Sequence, residues 1–183
     1  VRFIAGLIVG ILLAAGIAFG YFLSGSAPVA VADKTMPFEK MLANGALHAR
    51  MEKEMPKNVP IAADEPAFLE GAKIYLRDCA VCHGLPNVEQ GPIAKGMFPK
   101  PPQLFHGKGV TDDEPGESYW KVANGIRLTG MPAFKNSLSE TEMWQVSLLL
   151  ANANKISDAV KLELKPPDSA PSQMTAPPRA KTH

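Results

Sequence analysis

Cys79-Ala80-Val81-Cys82-His83 holds both cysteines of the chain and sets an imidazole directly after the second thiol. Two thiols three positions apart can each add across one of the two vinyl groups of a single porphyrin. The imidazole that follows is then carried beneath the iron as its proximal ligand. The pentapeptide therefore reads as the attachment sequence of one covalent c-type haem, with Cys79, Cys82 and His83 as its protein partners. Three other chemistries use similar residues. A thioredoxin-like redox pair expects a surrounding βαβ pattern, which is absent, and leaves His83 without a role. A zinc site needs four ligands; two cysteines and four histidines (His48, His83, His106 and His183) make a Cys2His2 set arithmetically possible, but the adjacency of Cys82 and His83 suits a tetrahedral site poorly. A plain disulfide makes the histidine accidental.

A second iron ligand is sought further along. Met131 lies in Ile126-Arg127-Leu128-Thr129-Gly130-Met131-Pro132-Ala133-Phe134, after one helical stretch and before another. Pro132 fixes its backbone torsion and removes an amide donor, so the loop can hold a thioether over the iron. His83 and Met131 together fill both axial positions and raise the reduction potential. Met97 and His106 are the competing ligands, and core packing is the ordinary role of a methionine. Gly91-Pro92 follows His83 closely. An imidazole ligand commonly donates its other ring N–H to a carbonyl, and Pro92 is the candidate acceptor, a simple turn being the plainer reading.

These residues need elements to position them. Asp64-Glu65-Pro66 opens a helix, with Phe68, Gly71, Ala72, Tyr75 and Leu76 on one face leading into Cys79. A glycine inside a helix is expected where another backbone comes close. Ser139-Glu140-Thr141-Glu142 is a capping box that starts a helix running to about Asn154. Trp144 and Leu148 are expected to pack against Gly71 and Tyr75. Between the two, Glu117 to Gly125 reads as a short helix stopped by Asn124-Gly125. The stretch Gly84 to Pro115 lacks periodicity and should wrap the cofactor edge as loop.

Outside this region the chain changes character. Phe3 to Leu23 is apolar over 21 positions without a charge, long enough to span a bilayer as one helix. Arg2 on the short side predicts a cytoplasmic N-terminus and an exported remainder. An uncleaved anchor at residues 1–23 is preferred over a cleaved signal, although Ala30-Val31-Ala32 resembles a cleavage site. Gly6-xxx-Gly10 and Gly16-xxx-Gly20 are helix-packing candidates or ordinary membrane composition. Residues 24–63 are a connector in which Pro37 to Met55 has helical spacing, an ordinary spacer with His48 exposed. Residues 155–183 read as a Pro-rich disordered tail in which His183 is mobile. With a net charge of +1 and 20% charged residues, nothing suggests nucleic acid or a polybasic membrane surface.

The order Gly71-xxx-Tyr75, Cys79-xx-Cys82-His83, Gly91-Pro92 and Thr129-Gly130-Met131-Pro132-Ala133-Phe134, closed by a Trp-bearing helix, resembles class I c-type cytochromes. It is particularly similar to bacterial membrane-anchored monohaem forms and covers residues 64–154. The resemblance implies a small all-α fold with long haem-wrapping loops, preceded here by the transmembrane helix. It also implies an exposed haem edge and electron transfer rather than enzymatic turnover of a small-molecule substrate.

The expected activity is one-electron carriage between respiratory or photosynthetic membrane complexes, at the outer, periplasmic face of a bacterial cytoplasmic membrane. A fixed subunit of an oxidase, reaction-centre or dehydrogenase complex is the alternative, and a haem enzyme or gas sensor a further one. Lys95, Lys100, Lys108, Arg127 and Lys135 are expected to ring the haem edge and meet an acidic redox partner. Asp112, Asp113, Glu114 and Glu117 form one acidic run.

Overall fold

The computed structural model describes residues 2–105 and 113–165. His106, Lys108, Asp112 and the run of prolines toward His183 lie outside the described residues. All regular structure among the described residues is helical. The chain divides into two compact units, residues 1–43 and 44–183.

In the first unit, helix α1 (Arg2–Leu23) has 22 residues, is apolar beyond Arg2 and has no buried residue. At 1.5 Å per residue it is about 33 Å long, enough to cross a hydrocarbon core of roughly 30 Å. Such a helix suits a membrane anchor. The segment after it is more structured than its composition suggests. Asp33 Oδ2 accepts from the amides of Val29 and Ala30 over 2.9 and 2.8 Å, closing a turn.

Helix α2 (Glu39–Glu54) runs from the first unit into the second. His48 is exposed along it, but its last turns are no free spacer. Met51 is only 3% exposed, and Glu54 Oε2 accepts from Trp120 Nε1 over 3.2 Å. The Pro56 carbonyl lies against Gly116, where a Cβ would collide with it. The end of the connector is thus packed within the second unit.

Helix α3 (Glu65–Ile74) begins as its sequence indicates: Asp64 Oδ1 accepts from the Ala67 amide over 3.0 Å, with Pro66 in the first turn. It passes without a break through a π-helical turn, Tyr75–Cys79, into α4 (Ala80–His83). A π turn inserts an extra residue into the helical ladder and is common at functional sites. Here Cys79 is the last residue of the turn, and Cys82 follows in α4. Three elements follow: the single turn α5 (Pro92–Lys95), α6 (Pro115–Asn124), and α7 (Glu140–Ala151) with its Ser139/Glu142 capping box.

The core forms where α3 crosses α7. A Cβ built on Gly71 would stand 2.5 Å from the Gln145 carbonyl oxygen and 3.1 Å from Leu149 Cβ. The glycine is required by that close approach. The facing residues are Gln145 and Leu149 rather than the expected Trp144 and Leu148. At about 100° per residue, one position of rotation moves Trp144 toward α6. There its ring stacks on Tyr119, with centroids 4.3 Å apart and planes 20° from parallel.

The chain remains part of the core past residue 154. Helix α8 (Asp158–Glu163) starts at Ser157, whose hydroxyl accepts from the Val160 amide and donates to Glu65 Oε1 over 2.8 Å. Ile156, Val160 and Leu164 join the cluster of Ala72, Tyr75, Val146 and Leu149. Residues 155–165 are therefore folded, contrary to the tail expected from residue 155. Three apolar side chains at four-residue spacing form a stripe too short to stand out in the sequence, yet sufficient to seat a single helical turn and a half.

Candidate haem-binding site

The π-helical turn delivers Cys79 to the edge of the core, where its side chain packs against the buried cluster. Cys79 and Cys82 are both partly buried and neither is in a disulfide. Burial first, then the neighbouring Asp78 carboxylate, pushes the Cys79 thiol up to about 12, with Arg77 opposing. Among the described residues, no three Cys, His, Asp or Glu side chains gather as a metal-binding group.

The far end of the attachment segment is held by Gly84. Its φ of 78° lies in the left-handed region that favours glycine. A Cβ there would approach Gln90 Cγ at 3.3 Å and Gln103 Nε2 at 3.4 Å. The Gly84 carbonyl accepts from Tyr75 Oη over 2.7 Å. Burial raises the Tyr75 phenol well above its ordinary value, so it remains a donor. Its ring also meets Phe105 edge-on, with centroids 4.9 Å apart.

His83 Nδ1 lies 2.8 Å from the Pro102 carbonyl oxygen. With Nδ1 donating to that oxygen, Nε2 carries the lone pair, which is the tautomer that binds a metal. Burial pushes the imidazole pKa down, against the opposing effect of the Pro102 bond, and so favours the neutral form. The acceptor is Pro102 and not Pro92. Pro92 opens α5, and its carbonyl accepts from the Gly96 amide over 3.0 Å inside that turn. The argument that a proline offers an acceptor and no donor applies equally to Pro101-Pro102, but only the tertiary path of the loop selects between the two prolines. Sequence reasoning also missed Gln90. Its buried Nε2 donates to the Cys82 carbonyl over 3.0 Å and to the Pro101 carbonyl over 2.8 Å.

Met131 packs against the same buried cluster as Cys79. Its backbone is pinned on both sides: its amide donates to Thr129 Oγ1 over 3.1 Å, and its carbonyl accepts from the Ile126 amide over 3.2 Å. Gly125 has a φ of 65°, and a Cβ there would stand 2.8 Å from the Met131 oxygen. Phe134 then donates its amide to the Val122 carbonyl over 2.9 Å, folding the loop back on α6. Met97 also reaches this loop, its methyl group lying against Gly130.

The charges are less segregated than the sequence suggests. Lys95 pairs with Glu89 at 2.7 Å. Two members of the acidic run are paired: Asp113 and Glu117 hold Lys121 Nζ at 2.7 and 2.8 Å. Lys100, Arg127 and Lys135 are exposed.

Two unpaired thiols and an imidazole whose Nδ1 is engaged, leaving Nε2 for iron, are a donor set that suits haem c. Residues 66–148 match the family model described as cytochrome c oxidase, cbb3-type, subunit III. No curated protein matches the chain. A solved structure of the Kuenenia stuttgartiensis reducing HAO-like protein complex includes a similar chain, 27% identical, with a TM-score of 0.45. That match covers 58% of this chain and 53% of the other, so it spans about half the length of its counterpart. The family match falls on α3 to α7 and takes in the attachment segment and the Met131 loop. Residues 66–148 are a class I c-type cytochrome domain, an electron-transfer module built to carry covalent haem.

Proposed function

We propose that the protein is a membrane-tethered one-electron carrier with a single haem c, bound through Cys79 and Cys82 and ligated by His83 and Met131. The observation that carries this reading is the arrangement at the pentapeptide: two unpaired thiols beside an imidazole whose Nδ1 is engaged by Pro102. The bound haem would supply an iron that alternates between ferric and ferrous states. The chain's own residues do the rest. Each thiol adds across one vinyl group, with nothing leaving. Pro102 holds the imidazole plane, and the Thr129 and Ile126 contacts hold the Met131 backbone, so little reorganises when charge changes. Held by His83 and Met131, the haem would serve electron carriage rather than substrate turnover.

Met131 is favoured over Met97 because its backbone is hydrogen-bonded on both sides, whereas Met97 follows the single turn α5. Helix α1 anchors the protein, with the haem domain on the periplasmic side, where such haem is attached. Redox partners dock over the haem edge, near the exposed Lys100, Arg127 and Lys135.

A haem stain after denaturation, combined with ferric and ferrous optical spectra, tests the reading. Covalent haem with the long-wavelength sulfur–iron band is expected. A high-spin spectrum with carbon monoxide binding to the ferrous form would favour an enzyme or sensor instead. A second reading, a fixed subunit of a larger oxidase, is supported by the description of the matching family. Gentle purification from native membranes separates the two, since a tethered carrier comes away alone.

A further inference from the structure

Gln90 is a neutral side chain only 4% exposed, and the haem chemistry above gives it no part. Both hydrogens of its Nε2 are committed. One goes to the carbonyl of Cys82, the residue before His83, and the other to the carbonyl of Pro101, the residue before Pro102. His83 and Pro102 are themselves joined through Nδ1 over 2.8 Å. Three hydrogen bonds therefore close a ring through Cys82, His83, Pro102, Pro101 and Gln90. Pro101 and Pro102 have no amide hydrogens, so neither can donate to the attachment segment from its own backbone. Gln90 supplies a side-chain donor that ties Pro101 to Cys82. Its stem lies against Gly84, where an added Cβ would stand 3.3 Å from Gln90 Cγ. Gly84 is the residue that Tyr75 holds from the other side.

We propose that Gln90 is a positioning residue that sets the His83–Pro102 hydrogen bond, and through it the electron donation of the imidazole and the reduction potential of the haem. The inference rests on the haem reading above. An acceptor held firmly at Nδ1 makes the ring more basic and favours the ferric state. When the acceptor drifts, the ferrous state gains and the potential rises. Gln103 provides an internal comparison. Its Nε2 donates to the Val88 carbonyl over 3.1 Å, which braces the same loop through a different carbonyl.

The test uses the full-length, haem-loaded protein with Gln90→Met and, in parallel, Gln103→Met. Gln90→Met should raise the midpoint potential. It should also speed solvent exchange of the His83 Nδ1 proton, read by NMR, by about tenfold, the scale of one lost hydrogen bond. Gln103→Met should leave both quantities near wild type. If Gln90→Met does not accumulate with haem, Gln90→Asn, which withdraws the amide by one methylene, reads the same two quantities. Unchanged potential and exchange in a loaded Gln90 variant, or an equal shift in Gln103→Met, overturns the assignment while leaving the haem reading intact. A wild-type protein without covalent haem overturns both.

Discussion

Tyr75 Oη donates to the Gly84 carbonyl over 2.7 Å, and both residues are buried. Tyr75 begins the π-helical turn and Gly84 follows His83, so this one bond brackets the attachment segment. Tyr75→Phe keeps the ring against Phe105 but leaves the buried carbonyl without its donor. Urea unfolding of the loaded protein should report a loss of about 1–3 kcal/mol.

Gly71 is fixed by the neighbouring backbone rather than by helix propensity. Gly71→Val would force a side chain into the space of the Gln145 carbonyl and push α3 away from α7. Overpacking of this kind costs about 1–3 kcal/mol, and more where the obstacle is backbone. The expected result is a lower unfolding midpoint and a smaller haem-loaded fraction, measured by pyridine haemochrome assay against total protein.

Met131→Leu should remove the sulfur–iron band, lower the potential and let ferrous protein bind carbon monoxide, whereas Met97→Leu should leave the optical spectrum unchanged. The reverse pattern would transfer the ligand role to Met97. Both spectra need only milligram amounts of purified protein.

Helix α8 contributes to the core through Leu164, which is 1% exposed. Leu164→Ala should destabilise the domain by roughly 2–5 kcal/mol, as for other buried leucines.

Lys121 gives a pH dependence with a defined sign. Burial lowers its pKa, but the bonds to Asp113 and Glu117 outweigh burial and raise it above the ordinary 10.5. A cation whose pKa is raised by folding contributes stability that is complete below 10.5 and is lost as pH climbs through the folded value. Thermal melts across the alkaline range should therefore fall more steeply for the wild type than for Lys121→Met.

Much of this protein was already written in short-range chemistry. The thiol, thiol, imidazole order, the Ser139–Glu142 capping box, the Asp64 cap and the apolar run of α1 each depend on residues within a few positions of one another. Their meaning therefore survives in the linear chain. What depends on how distant segments meet did not. A proline acceptor for His83 could be anticipated, but Pro92 and Pro102 have the same chemistry, and the loop path placed Pro102 at Nδ1. Gln90 carries no signal in sequence, because its importance arises from touching Cys82 and Pro101 together. Helix α8 and the end of α2 have too little apolar surface to announce themselves, and they are ordered by the core they cover. The face that α7 turns toward Gly71 differs from the expected one by a single residue of rotation, about 100°, which backbone packing decides and periodicity alone does not.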